Sequence, residues 1–352
     1  MSSPPSDINT QILPSAEVND EEKFHAGWRE WAIRNLLLGA QPENVMEAMM
    51  QSGFSGPFAA QKIHQYDADP ILQTARRITA THTKATDILD ALCKVERKSP
   101  DNKKIPVARD LPAAEFYKEY YFKNQPVLLQ GLTSRWKAVN LWTPEYFAAR
   151  FGDSEVEIVA GRSSDPLHEY NFEKHKTRIQ MKEYVRLVEE GGETNDYYMV
   201  AQNYLMSRPE FQELYGHIDG LDGYFNPATL RGRVRFWFGP KGTVTQLHHD
   251  ATPVMMGQIY GRKRVKLVSP LNLSSMYNDG DWISPVDPEN VDYSRFPKMR
   301  EVDILDVTLM PGELLFIPLG WWHWVKSLDV SISLSFDSFV IPRAEIEMAG
   351  NG

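Results

Sequence analysis

The sequence predicts a mainly β fold, a sandwich or barrel with flanking helices and a small helical region at the N-terminal end. Three observations lead there. From about Leu111 onward, short runs rich in β-branched and aromatic residues alternate with Gly, Pro, Asn and Asp. Helical spacing is concentrated before Lys94. And 352 residues, 42% of them hydrophobic and 24% charged, are enough for one large core and one small one. No internal repeat is visible.

Residues 1–20, MSSPPSDINTQILPSAEVND, are Pro- and Ser-rich with little to bury, and are expected to form a flexible tail. In the helical region 21–97, Phe24, Trp28 and Trp31 recur at i, i+4 and i+7 and lead into LLLG, where Gly39 can end the helix before Pro42 opens another. Val45, Met46, Met49 and Met50 make a second apolar stripe, SGFSG at 52–56 breaks it, and helical patterning continues from about Pro57 to Lys94. These stripes read as core or as a dimer or partner surface rather than a cofactor box. KSPDNKKIPVARDLP at 98–112 reads as a linker into a domain at 113–345. The expected strands there are PVLLQG at 126–131, VEIVAG at 156–161, YYMVAQ at 197–202, VRFWFG at 234–239, KRVKLVSP at 263–270, ELLFIP at 313–318 and VSISLSF at 330–336, with helices over Thr143–Phe151 and Gln180–Glu190.

A formal net charge of -9 argues against a surface that follows a phosphate backbone, so no nucleic-acid partner is expected. Cys93 is the single cysteine, which excludes a disulfide framework and a cysteine-based zinc site; it is expected to be inert in a reducing, cytoplasmic setting. No run approaches the roughly 18 apolar residues of a membrane span, and no signal peptide is apparent.

The chemistry concentrates in TQLHHDATPV at 245–254. On a strand, His248 and Asp250 share a face and His249 looks the other way, toward packing or the surface. An imidazole and a carboxylate so placed can hold two neighbouring positions on a metal. A second His-x-Asp, His217-Ile218-Asp219, lies between glycines where no strand is predicted, and serves as a decoy. A third ligand must come from another strand. In PGELLFIPLGWWHWVKSL at 311–328, His323 faces one side with Val325, and Trp322 and Trp324 face the other. It reads either as a core histidine or as that ligand. In QIYGRKRVKLV, Lys263, Val265 and Leu267 share a face, and the Arg264/Lys266 face is expected to be solvated. Lys263 is then an inward cation, costly without an anionic partner such as a small dicarboxylate, unless its stem crosses the rim and its amine reaches water.

From about Pro126 to Phe336 the chain resembles the JmjC/cupin-like 2-oxoglutarate oxygenases, in particular the hydroxylases related to the asparaginyl hydroxylase of hypoxia-inducible factor and to JmjC arginyl hydroxylases. PVLLQGL, WTPEYFAARFGD, FWFGPKGTVTQLHHD, GQIYGRKRVKLVSP, VDYSRFPKM and PGELLFIPLGWWHWVKSLDVSISLSF carry the resemblance by their order and spacing. It implies a double-stranded β-helix of the jelly-roll type, with Fe(II) bound by His248, Asp250 and His323 and the distal carboxylate of 2-oxoglutarate paired with Lys263. It also places Thr245, one repeat before the triad, on that carboxylate, Tyr198 beside it, although YYMVAQN aligns equally one residue away, and Ser335 near the cosubstrate. Trp237 falls at the substrate mouth. Val254 stands where several relatives have asparagine, which removes one hydrogen bond to the cosubstrate. The chain stops at Gly352 before a C-terminal helix pair through which some relatives dimerise, so a homodimer would use residues 21–96.

The implied activity consumes O2 and 2-oxoglutarate, releases succinate and CO2, and hydroxylates an amino-acid side chain in a protein or peptide. Oxidative demethylation is the alternative reaction. A cupin-like module that holds metal without turnover is the rival from another class, and hydroxylation of a tRNA base fits poorly with the net charge. Loops 162–178 and 273–300 are expected to shape substrate access.

Overall fold

The computed structural model describes residues 19–99, 103–278 and 280–340. The expected tail lies almost wholly outside them. The chain divides into two compact units, Met1–Leu92 and Cys93–Gly352.

In the first unit, α1 (Asp20–Lys23), α2 (Ala26–Leu37), α3 (Pro42–Gln51) and α4 (Gly56–Ala68) are followed by a long α5 (Pro70–Glu96), which runs on into the second unit. Gly39 and Gly53, with φ of 88° and 87°, occupy the left-handed conformation that stops α2 and α3. Phe24, Trp28, Trp31, Val45 and Met49 are buried together with Phe54 and Ile63, so this stripe is a core, whereas Met50 is exposed.

The second unit is a jelly roll of two facing sheets. Thirteen strands are described: β1 (Val107–Arg109), β2 (Val127–Gln130), β3 (Glu155–Ala160), β4 (Lys176–Gln180), β5 (Tyr197–Tyr198), β6 (Val234–Gly239), β7 (Val244–His248), β8 (Val254–Tyr260), β9 (Lys263–Val268), β10 (Leu305–Leu309), β11 (Leu314–Ile317), β12 (Trp322–Ser327) and β13 (Ser331–Phe336). The larger sheet has the order β1-β2-β11-β8-β13-β6, the smaller β10-β9-β12-β7, and a small third sheet β4-β3-β5. All pairs are antiparallel except β1 with β2. The segment 98–112, read as a linker, therefore carries an edge strand. Thr143 and Gln180, expected inside helices, are the N-caps of Pro144–Phe151 and Met181–Glu190.

Strand alternation sorts side chains into three layers. Odd residues of β2 and even residues of β11, β13 and β6, such as Leu129, Phe316, Leu334 and Phe236, pack outside the larger sheet under the helices. Leu128, Met256, Leu315 and Ile317 face inward against Val265, Leu267, Leu309 and Val325. The third layer corrects an expectation. The outer face of the smaller sheet is not solvated: Leu247, Val268, Trp322 and Trp324 bury against Met276, Val286, Phe296 and Met299. Lys266 is itself buried, its Nζ donating to the Pro288 carbonyl at 2.8 Å, while Arg264 and Lys326 both pair with Glu289. The loop 273–300, expected to shape access, mainly covers this face.

Candidate active site

One end of the jelly roll, between the sheets, holds a cavity of about 550 Å³. Apolar packing fills the other end. The difference lies in the inward residues: β13 contributes Ser335, with Ser333 bonded to Lys263 behind it, β9 contributes Lys263, and β6 contributes Arg235 and Trp237, where aliphatic side chains would have closed the space.

His248 ends β7, and Asp250 follows in the turn beyond it, so the carboxylate comes from just past the strand rather than from its regular part. His323 sits opposite His248 in the register of β12. His248 Nε2 lies 4.0 Å from Asp250 Oδ1, and His323 Nε2 lies 3.6 Å from Asp250 Oδ2. Among the described residues this is the one group of three such donors able to close on a single ion, with its ligand atoms within 4.8 Å of one another.

The backbone fixes both imidazoles. His248 Nδ1 is 2.8 Å from the Gln246 carbonyl and His323 Nδ1 is 3.1 Å from the Trp321 carbonyl. A carbonyl can only accept, so each Nδ1 carries the proton and each Nε2 turns a lone pair toward Asp250. Burial, with the adjacent His248, pushes His323 down to about 4, and the two rings stand only 4.0 Å apart between centroids. Both features favour a neutral His323 imidazole, the form that binds metal. Two nitrogens and one carboxylate, with the remaining side open to the cavity, fit a divalent transition metal such as Fe(II).

His249 points away. Its ring is held between Trp282 and Trp322, with centroids 4.6 and 4.5 Å distant, and burial lowers its pKa. The decoy is structural. His217 ends a 3-10 helix, Pro209–His217, and its Nδ1 accepts from Trp142 Nε1 at 3.0 Å, so it has a fixed partner away from the cavity's metal-ligand group.

Lys263 is 1% exposed, which removes the reading of an amine that reaches water. Its Nζ donates to the Tyr198 hydroxyl at 2.8 Å and the Ser333 hydroxyl at 2.7 Å, both neutral oxygens. Burial pushes the amine down to about 7, and burial raises the Tyr198 phenol well above its ordinary range. Tyr198, not Tyr197, is thus the tyrosine at the pocket; the Tyr197 hydroxyl donates instead to the Leu187 carbonyl. Ser335 accepts from Trp237 Nε1 at 3.1 Å, and Trp237 lines the wall beside Tyr198. Thr245 and Val254 also line the cavity. Thr245 is an odd number of residues from His248, so a regular strand would send them to opposite faces. A β-bulge resolves this: His248 pairs with His323 but Thr245 with Val325, three residues against two.

Sequence reasoning missed Arg162. Its buried guanidinium donates to Asn195 Oδ1 (3.0 Å), Glu169 Oε1 (3.0 Å) and the Val244 carbonyl (2.7 Å) and lies 5.5 Å from the Tyr198 ring centroid. It ties the 162–178 loop, with Glu169, to the pocket wall. Only an arginine at the end of an apolar strand could have signalled it.

A cupin-like domain model matches residues 112–337. The chain belongs to the JmjC/cupin-like family. Among its relatives, lysine-specific demethylase JMJ30 of Arabidopsis thaliana is 30% identical over 246 residues, which covers 66% of this chain and 54% of that protein. Lysine-specific demethylase 8 of Danio rerio is 29% identical over 255 residues, 69% of this chain and 60% of that protein. JmjC domain-containing protein D of Dictyostelium discoideum is 31% identical over 251 residues, 65% and 54%. The chain spans between half and two thirds of the length of these JmjC/cupin-like relatives.

Proposed function

We propose that the chain is an Fe(II)- and 2-oxoglutarate-dependent dioxygenase that hydroxylates a side chain in a protein or peptide. In this reading His248, Asp250 and His323 hold the metal, and Lys263, with Tyr198 and Ser333, holds the distal carboxylate of 2-oxoglutarate. Thr245 and Ser335 lie along the cosubstrate, and Trp237 forms the wall on the substrate side. Bound Fe(II) supplies the redox chemistry that couples oxidative decarboxylation of 2-oxoglutarate to insertion of oxygen into a C–H bond.

The observation that carries the reading is the pairing of two unfinished sites in one cavity. One is a triangle of two imidazole nitrogens and a carboxylate; the other is a buried amine whose hydrogen-bond partners are both uncharged. A buried ammonium without an anion is unfavourable, and a dicarboxylate that reached the metal with its other end would answer both needs. Leu267, four residues beyond Lys263 on β9, pairs with His323, so about 13 Å of strand separates the two sites, a gap shared between a lysine side chain and a five-carbon diacid.

The chain's residues do the positioning. The carbonyls of Gln246 and Trp321 hold the imidazoles in one tautomer, Arg162 braces Tyr198, and the aliphatic end of the jelly roll keeps water to one side of the pocket. The names of two relatives, lysine-specific demethylases, support a second reading, oxidative N-demethylation at this same site. Incubation with Fe(II), 2-oxoglutarate, O2 and candidate peptides tests both. Succinate with a peptide one oxygen heavier supports hydroxylation; succinate with formaldehyde and a peptide one methyl lighter supports demethylation. No succinate from a metal-loaded, folded protein would leave only a metal-binding module.

A further inference from the structure

Among the described residues, none covers one face of α5. Ile71, Ile78, Ala85 and Leu92 recur every seven residues, and Ile88 and Val95 fall on the interleaved set that begins with Thr74 and Thr81. All eight are exposed, the large ones heavily: Ile71 78%, Ile78 67%, Ile88 61%, Leu92 49% and Val95 67%. A strict seven-residue repeat with apolar first and fourth positions is the seam of a two-helix coil, not the broader face by which a helix lies on a globular core.

We propose that this seam is the contact between two copies of the chain. Burying an aliphatic side chain removes about 60–120 Å² of apolar surface, so five from each copy, scaled by these exposures, bury roughly 400–800 Å². Interfaces are a little over half apolar, which makes the total roughly 700–1,300 Å², around the 1,000 Å² that a specific interface needs. The polar members do not oppose it. Thr74 and Thr81 donate their hydroxyls to the carbonyls of Pro70 and Arg77 within the helix, at 2.8 and 3.0 Å, so burying them strands no donor. Nor do the flanks. In a parallel pair Arg77 would face His82 of the second copy, Lys84 would lay its stem over Leu89, and Ala91 would meet Glu96, so no Lys or Arg is set against another and no carboxylate against another.

The test is the mass of the full chain in solution by sedimentation equilibrium, with Ile78→Lys/Ile88→Lys and the conservative Ile78→Leu/Ile88→Leu as variants. The natural chain and the leucine variant are expected at twice the monomer mass and the lysine variant at the monomer mass, all with the same helical circular dichroism. A monomeric natural chain, including one whose seam takes another protein's helix, overturns the proposal, as does a dimeric lysine variant. Succinate production, measured separately, is unaffected in every variant, so failure here is distinct from failure of the oxygenase reading.

Discussion

Lys263 is the residue whose chemistry is most exposed to test. Strand parity alone put it on the inward face with Val265 and Leu267, and that much was legible; of its two hydroxyl partners, Tyr198 on β5 came only through the family resemblance and Ser333 on β13 not at all, because nothing local in a sequence records which distant strands meet. Burial holds the amine at about 7 against an ordinary 10.5, so the unfolded chain keeps a proton that the empty folded protein releases. Stability of the empty protein therefore rises with pH between about 7 and 10.5. Anion binding runs the other way: a carboxylate wants the ammonium, which is fully present below pH 7 and lost above it. The affinity of the Mn(II)-loaded protein for 2-oxoglutarate, followed by calorimetry, is expected to fall as pH rises from about 7 to 9, and to become flat in Lys263→Arg, whose guanidinium stays charged. At pH 7 Lys263→Ala loses a charge-assisted bond worth about 1.5–3 kcal/mol, roughly a ten- to hundred-fold weaker affinity, with metal still bound. Unchanged affinity in the alanine variant would sink the assignment of this residue to the cosubstrate.

At the scale of the strand, alternation separated His248 from His249 and paired His323 with Val325, and the structure has both arrangements. The expectation is that His248→Ala and His323→Ala each lose bound metal and all turnover, since two remaining donors rarely hold Fe(II). His249→Ala keeps both and gives up two ring contacts, about 1–3 kcal/mol, seen as a lowered melting temperature. A folded His249→Ala without metal would contradict the division of faces. His217→Ala likewise keeps its metal but strands the Trp142 N–H, at about 1–3 kcal/mol. Alternation also has blind spots, and they are physical. Thr245 reaches the cavity only through a bulge, which a sequence does not announce. β8 was passed over because Gly257 sits inside PVMMGQIY, where a Cβ would press on Leu314 at 3.0 Å. β4, KTRIQ, is an edge strand whose charges hide its pairing, and β1 lay inside what read as a linker.

For the molecule as a whole, the error over the Arg264/Lys266 face has a physical cause. Local pattern reports that a face is amphipathic, but not whether a later segment returns to cover it, as residues 273–300 do here. Two separate apolar cores nevertheless imply two cooperative units, and only the one from Cys93 onward contains the candidate metal and cosubstrate site. Ligands that bind a folded unit stabilise that unit by mass action: at a hundred times the dissociation constant, by about 2.7 kcal/mol. For a domain of some 150–250 residues each kcal/mol raises the melting temperature by about 2–4 °C, so saturating Mn(II) with 2-oxoglutarate is expected to move one calorimetric transition up by roughly 5–11 °C. The transition of the helical unit Met1–Leu92 should stay where it is. In His248→Ala the shift should vanish, while in Lys263→Ala the metal's share should survive and the cosubstrate's share should shrink, because the two variants remove different halves of one bound assembly. If 2-oxoglutarate moved the melting temperature equally in the natural chain and in Lys263→Ala, the amine and the cosubstrate would have to be placed in separate sites.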